Sequence, residues 1–175
     1  MAIPERLNPS LFDKLSADLD MPGLREDSAM AELSRDSMKY YSVPRLERFT
    51  ETALKETIKR DLYWLLNTVS LSSGFDLSPY PQIKTSVLNY GVTDLAGKSY
   101  TQRAVAQRAR DIQAAVKAFE PRISPDSLHV EPSDRERENR VTYVIHGDIT
   151  SAVQAIPINF KTDVEADSAT VTIRD

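Results

Sequence analysis

The sequence predicts an α+β fold: a two-layer domain in which helices pack on one face of a small antiparallel sheet, preceded by an N-terminal arm. Three observations predict it. A polar stretch occupies much of residues 1–45, apolar residues at helical spacing follow up to Pro121, and strand-like alternation begins after Pro125. Helices followed by strands are typical of α+β domains, because parallel sheets need the two to alternate along the chain.

The composition is that of an ordinary soluble protein. The chain has 175 residues, of which 41% are hydrophobic and 27% are charged, and its net charge is −4. An acidic balance favours neither nucleic acid nor an anionic membrane surface as a partner. No run approaches the about 18 apolar residues of a membrane span. Residues 1–6 do not resemble a signal peptide. Without cysteine, disulfides and thiolate metal sites are excluded. We therefore expect a cytoplasmic protein.

Residues 1–45 are predicted to form an arm that is mobile or bound to a partner, and residues 46–175 the folded domain. The arm holds one short apolar face at helical spacing, which predicts a marginal helix: Leu7, Leu11, Phe12, Leu15 and Leu19. Pro22 and Gly23 interrupt it, and the polar segment 25–39 lacks the apolar side chains needed to fold alone.

The domain begins with a long amphipathic helix from Pro44, which ends at Asn67 and Thr68. A short helix is expected from Pro81 to Gly91. The third helix is the clearest, with a capping box of Ser99 and Gln102 at its start and Pro121 at its end. Four strands follow, at 128–130, 141–149, 156–164 and 169–173. A charged loop, 131–140, separates the first two.

Candidate catalytic groups are few. His129 and His146 lie on predicted strands, and the carboxylates near them lack metal-ligand spacing. We therefore interpret them as ordinary strand histidines. No serine sits in a nucleophile elbow and no glycine-rich phosphate loop is present. We expect no catalytic, cofactor-binding or metal site.

Glu120 is the one carboxylate that invites a glycosidase hypothesis, because it follows the apolar Phe119 and a general acid needs a raised pKa. Arg122 argues against it, since a nearby cation lowers a carboxyl pKa. Asp94 and Asp148 are only guesses at a second carboxylate. A structural charge cluster at the helix end is the preferred interpretation.

Two further local patterns have structural interpretations. Asn89, Tyr90 and Gly91 are predicted to end a helix, with the glycine in the left-handed conformation and the tyrosine packed in the core. Arg60 and Asp61, in the middle of the long helix, are expected to lie on its solvated face.

Four ordered segments resemble the TssE proteins of type VI secretion and their relatives, the gene-25-like wedge proteins of contractile phage tails. The segments are 6–15 (RLNPSLFDKL), 60–68 (RDLYWLLNT), 86–97 (SVLNYGVTDLAG) and 119–122 (FEPR). The last contains the family's Glu-Pro-Arg motif, here Glu120, Pro121 and Arg122. One departure is Val69, where the family pattern has a basic residue. Because the segments extend from the arm to residue 122 in the expected order, their combination is specific.

The resemblance implies a structural baseplate wedge subunit in the bacterial cytoplasm, bound to TssF and TssG with TssK nearby, which seeds the TssB–TssC sheath. It also implies a fold similar to the interlocking domain of the sheath subunit. The family is often labelled lysozyme-like, so a peptidoglycan-cleaving enzyme is the alternative. An adaptor unrelated to contractile tails is a third reading.

The last predicted strand offers a mechanism for joining wedge to sheath. Its residues Thr170, Val171, Thr172 and Ile173 alternate polar and apolar side chains, as expected of an edge strand with one packed face. An extended sheath arm could pair with that edge by β-augmentation. Glu120 and Arg122 would fix the helix-to-sheet junction or meet a neighbouring chain.

Overall fold

The computed structural model describes residues 7, 9–16, 50–94, 101–133, 140–150, 155–165 and 170–174. Three α-helices lie in these residues: α1 (Leu11–Ser16), α2 (Glu51–Leu66) and α3 (Gln102–Phe119). The strands are β1 (His129–Pro132), β2 (Arg140–Ile149), β3 (Ile156–Glu165) and β4 (Val171–Arg174). The predicted α+β class is confirmed. The predicted boundary between arm and domain, at residues 45–46, lies outside the described residues.

The four strands form one antiparallel sheet in the order β1-β2-β3-β4, so neighbours in sequence are neighbours in space. The two central strands pair along their whole length, from Arg140 opposite Glu165 to Ile149 opposite Ile156. β1 and β4 are shorter and lie at the two ends of this sheet. All four predicted strands are therefore present, with each end within two residues of its predicted position.

The core lies between the sheet and the helices α2 and α3. Alternate residues of the central strands are buried, because successive strand side chains point to opposite faces. The buried face includes Tyr143, Ile145, Ile158, Phe160 and Val164, and the two long helices contribute Ile58, Leu62, Ile112 and Val116. His129 and His146 lie on the other, exposed face. Within the described parts of the chain, no helix is long and apolar enough to cross a membrane.

The two long helices have side-chain caps, and one differs from its prediction. Thr50 accepts a hydrogen bond from the Ala53 backbone N–H at the start of α2, at 3.2 Å. At α3 the cap is Thr101, whose hydroxyl accepts from the Ala104 N–H at 3.3 Å. The predicted capping box is therefore wrong. Gln102 is the first helical residue, one position after the cap, so its side chain is not the box's third helical residue.

The segment between α2 and α3 also differs from its prediction. Instead of one short helix from Pro81 to Gly91 there are two 3-10 helices, Pro81–Thr85 and Val87–Asn89, and a third, Leu71–Ser73, precedes them. Val87 and Leu88 face solvent, with 84% and 67% of their surface exposed, so no buried apolar face holds one continuous helix together. The two ends of this segment meet at a parallel bridge between Val69 and Val92, which closes it into a loop.

Gly91 is required at this closure because its φ is 121° and its backbone lies against the Thr68 carbonyl oxygen, where a Cβ atom would clash. We expect Gly91→Ala to lower the free energy of unfolding by about 2 to 3 kcal/mol, measured by chemical denaturation. Gly74→Ala is the matched control, because a Cβ there meets nothing within 4 Å and φ is negative. Equal stability of the two variants would show that the closure imposes no strain.

Candidate functional site

Five charged side chains of alternating sign form a continuous line through the domain: Asp13, Arg60, Asp61, Arg122 and Glu120. This line, called the charge cluster below, begins on α1, crosses the middle of α2 and ends in the turn after α3. It joins three segments that are far apart in sequence. Such pairs fix geometry more than they add net stability.

Glu120 and Arg122 bind each other through two parallel contacts. Arg122 Nε donates to Glu120 Oε1 at 2.6 Å, and Arg122 Nη2 donates to Glu120 Oε2 at 2.5 Å. The backbone N–H of Arg122 also donates to Oε1, at 3.2 Å. Pro121 between them lies in the turn that follows α3, where its missing N–H and fixed φ prevent the helix from continuing. Both oxygens of Glu120 therefore accept hydrogen bonds from Arg122, and the residue is shielded from water because it is only 4% exposed.

Asp61 connects this pair to the rest of the charge cluster. Its Oδ2 accepts from Arg122 Nη2, and its Oδ1 accepts from Arg60 Nε at 2.8 Å. The carboxylate that shares Arg122 with Glu120 is thus Asp61, and neither Asp94 nor Asp148 takes that place. Two carboxylates on one guanidinium form a structural arrangement, in which the cation offsets their mutual repulsion.

Arg60 is buried, which contradicts the predicted solvated face. Its side chain is 1% exposed and its guanidinium carbon lies 4.8 Å from the ring centre of Phe12 and 4.9 Å from that of Trp64. Two aromatic faces and two carboxylates therefore surround one cation. The prediction failed because α1 covers this part of α2. For Asp61, whose side chain is 21% exposed, the missed signal was its helical spacing between the buried Ile58 and Leu65.

Asp13 attaches the arm's helix to the domain. Its Oδ1 accepts from Arg60 Nη1 at 2.8 Å, and the Asp13 side chain is completely buried. Its Oδ2 accepts from the hydroxyl of Ser10 at 2.7 Å and from the Ser10 backbone N–H at 3.1 Å. The Ser10 hydroxyl accepts in return from the Asp13 N–H, which completes a cap on α1. One carboxylate thus both starts α1 and holds it on α2.

The second predicted motif lies beside the charge cluster. Tyr90 packs edge-on against Phe119, with ring centres 5.3 Å apart. Asn89 is a buried polar residue that holds the loop together: it accepts from the Ser72 N–H at 2.9 Å and donates to the Lys84 carbonyl at 3.0 Å. The structure therefore brings residues 89–91 and 120–122 to the same end of α3. Asn89 itself serves the loop's internal geometry.

The charges of this cluster shift the pKa of one of its own members, Arg122, and of the neighbouring Tyr90. Burial alone would lower the pKa of Arg122, but its hydrogen bonds to Glu120 and the charges of Glu120 and Asp61 raise that pKa above its usual range. Arg122 is therefore a permanent cation. Burial, with the negative charges of Asp61 and Glu120, raises the pKa of Tyr90 to about 12.

The raised pKa predicts a specific loss of stability at alkaline pH. The unfolded chain ionises Tyr90 near pH 10, whereas the folded chain keeps it neutral up to about 12. Stability from this group is therefore complete below the unfolded pKa and lost as pH rises through the folded one. We expect Tyr90→Phe to reduce the fall in the free energy of unfolding between pH 10 and about 12. Urea denaturation at each pH measures this free energy for both proteins. An unchanged slope would contradict the burial of this phenol.

The two histidines are brought together without forming a metal site. His129 and His146 lie directly opposite each other on β1 and β2, on the exposed face of the sheet. Among the residues that the structure describes, no group of three or more His, Cys, Asp or Glu side chains could hold a metal ion. Their pairing was not foreseen, since the register between two strands cannot be read from the residues of either strand alone.

Comparison with protein families identifies the chain. The family described as baseplate wedge protein gp25 matches residues 52–153, which include most of α2, all of α3, β1 and β2, and four of the five residues of the charge cluster. The chain belongs to this family. Comparison with curated proteins gives no match. The gp25 family is one of structural, phage-tail-like baseplate components, so the protein is a wedge-type subunit that associates with other baseplate components.

The match places the charge cluster mainly inside the family's shared region. Arg60, Asp61, Glu120 and Arg122 lie within it, whereas Asp13 and the strands β3 and β4 lie outside. The match is one of sequence range, so the roles of Glu120 and Arg122 stay predictions. It does not bear on the predicted docking edge at Thr170–Ile173, which stays a prediction.

Proposed function

We propose that this gp25-family chain is the TssE subunit of a bacterial type VI secretion baseplate, which links the wedge to the contractile sheath and seeds sheath polymerisation. The observation that carries the proposal is the buried charge cluster, four of whose five residues lie within the gp25 match and which ends at Glu120 and Arg122. In this role the protein has no catalytic site and needs no cofactor.

The partners that fit this role are TssF and TssG in the wedge, with TssK nearby, and the sheath proteins TssB and TssC. The subunit would act in the cytoplasm, within the baseplate complex. An acidic chain with net charge −4 gives no reason to add nucleic acid or an anionic membrane to these partners.

The charge cluster supports this role by holding three segments in one arrangement. A wedge subunit must present surfaces to several partners at fixed relative positions, and α1, α2 and the end of α3 are locked together through paired charges. Charged pairs suit this task because a misplaced element leaves a buried charge unpaired, which costs several kcal/mol. In the sheet, β4 is the edge strand that we propose receives a sheath strand.

The alternative function, peptidoglycan cleavage, receives less support. A general acid must carry a proton and approach substrate, whereas Glu120 is buried and bound twice by Arg122. We expect the purified protein to show no muramidase turnover, and Glu120→Gln to leave that result unchanged. Turnover that Glu120→Gln abolishes would overturn the structural role.

The assembly role is tested in cells by replacing the chromosomal copy and imaging fluorescent sheath. We expect Glu120→Gln, which removes one charge of the cluster, to reduce the number of sheaths per cell. Glu131→Gln is the matched control, since Glu131 is an exposed residue of β1. Normal sheath formation with a folded Glu120→Gln protein would contradict a role for this site in assembly.

A further inference from the structure

Asn67 occupies part of the sheet edge that is proposed for docking. At the end of α2, its Oδ1 accepts from the Val171 backbone N–H at 3.0 Å, and its Nδ2 donates to the Val171 carbonyl at 3.1 Å. A residue on an additional antiparallel strand would make the same pair of hydrogen bonds, one accepted and one donated. The carboxamide of Asn67 thus stands where the first residue of a fifth strand would lie.

The register of β4 shows how much of the edge is affected. Val171 is opposite Val164 on β3, and its backbone groups point away from β3 toward Asn67. Because these directions alternate along a strand, the backbone of Thr172 faces β3 and that of Ile173 faces outward. The outer edge of β4 therefore has two outward positions, Val171 and Ile173, and Asn67 takes the first.

This edge is suited to pair with another strand. The side chains of Val171 and Ile173 are both buried against the core, so neither obstructs an approach to their backbone groups. Within the described part of β4, the exposed side chain is that of Arg174, beyond both outward positions. Edges of this kind pair readily with other chains unless something covers them.

We propose that Asn67 caps the β4 edge, so that an incoming strand pairs at Ile173 and gains Val171 only by displacing the carboxamide. Asn67 is exposed, which makes displacement by a strand feasible. Without the cap, the edge would pair with β4 of a second copy. This proposal deepens the suggested strand docking and rests on it for its role in assembly, but capping itself can be tested on the isolated protein.

Pairing with β4 of a second copy of the chain is used to probe whether this edge is open, because the two-fold symmetry of such a dimer fixes which residues lie opposite each other. Antiparallel pairing through the two outward positions places Val171 of each copy opposite Ile173 of the other, and Thr172 opposite Thr172. The Cα atoms of such a central pair lie about 4.5 Å apart, within the range that a disulfide spans. The chain has no cysteine, so Thr172→Cys introduces a single reporter.

The experiment compares disulfide-linked dimer formation in an oxidising buffer for Thr172→Cys alone and combined with Asn67→Ala. Since two hydrogen bonds no longer hold the edge closed, we expect cross-linking to rise by about tenfold or more. Thr68→Ala, combined with Thr172→Cys, is the matched control, because the Thr68 hydroxyl donates to the Trp64 carbonyl at the same helix end and not to β4. His146→Cys, on the exposed face of β2, should cross-link independently of residue 67. Unchanged cross-linking of folded Asn67→Ala protein would overturn the proposal.

Hydrogen exchange supplies a measurement that needs no variant. The Val171 amide of the unmodified protein should be protected because it donates to Asn67, and rapid exchange there would overturn capping. In Asn67→Ala, which removes the acceptor of the Val171 N–H, dimer formation should accompany faster exchange at Val171 in the monomer, while Thr172, which faces β3, stays protected. If sheath docking at β4 fails in cells while these results hold, the proposed docking edge is wrong, whereas the cap and the baseplate assignment stand.

Discussion

Arg122→Ala should lower the free energy of unfolding by about 3 to 5 kcal/mol. The arginine binds Glu120 through two contacts and also pairs with Asp61, so its loss leaves the buried Glu120 carboxylate without a cation. A buried charge that loses its partner keeps the full cost of its desolvation. Denaturant unfolding at neutral pH, followed by circular dichroism, measures the change.

Two controls separate charge from geometry at this position. Arg122→Lys keeps the cation but cannot form two parallel contacts, so we expect an intermediate loss of stability. Arg110→Ala removes an exposed arginine from α3, whose guanidinium donates to Gln107 Oε1 at 3.3 Å, and should stay within about 0.5 kcal/mol of the unmodified protein. If Arg122→Ala were as stable as Arg110→Ala, the charge cluster would not hold the domain together.

The second large effect concerns the attachment of α1. Asp13→Ala removes both the cap of α1 and the buried partner of Arg60, so we expect α1 to detach and the free energy of unfolding to fall by about 3 kcal/mol. The loss is limited because detachment lets water reach Arg60, which retains Asp61. Hydrogen exchange should show loss of protection in α1 and no change in β2 and β3.

The single tryptophan provides an independent readout of this detachment. Phe12 packs edge-on against Trp64 with ring centres 5.2 Å apart, so release of α1 should shift the tryptophan emission to longer wavelength. Lys14→Ala is the matched control, because Lys14 is an exposed residue of the same helix. Unchanged emission and unchanged α1 protection in Asp13→Ala would show that the Asp13–Arg60 pair does not hold α1 in place.

The sheet could be predicted because its pattern is local. Alternation from Val141 to Ile149 and from Ile156 to Val164 marks two strands whose buried and exposed residues follow directly from the pleat. Helix ends were harder: Thr101, not Ser99, caps α3, because the choice depends on where the backbone turns into the helix. The segment from Pro81 to Gly91 was predicted as one helix because its apolar residues were assumed to be buried, whereas Val87 and Leu88 are exposed.

The charge cluster was only half predictable. Glu120 and Arg122 are near neighbours, so their pairing could be inferred from their spacing and the proline between them. The pairing of Arg60 could not be inferred, because its partner Asp13 is 47 residues away along the chain and reaches it only in the folded structure. Charged residues in a helix are usually solvated, and burial of Arg60 depends on Phe12 and Trp64 closing around it. The role of Asn67 depends likewise on β4, 104 residues away.

Affinity purification from native cells, followed by mass spectrometry, tests the central claim most directly. We expect the tagged chain to retain the wedge proteins TssF and TssG. Arg122→Lys, which weakens the charge cluster without removing its charge, should retain less of them than Arg110→Lys at equal expression. Recovery of neither wedge nor sheath proteins with the unmodified chain, from cells that assemble sheaths, would contradict the assignment to this baseplate.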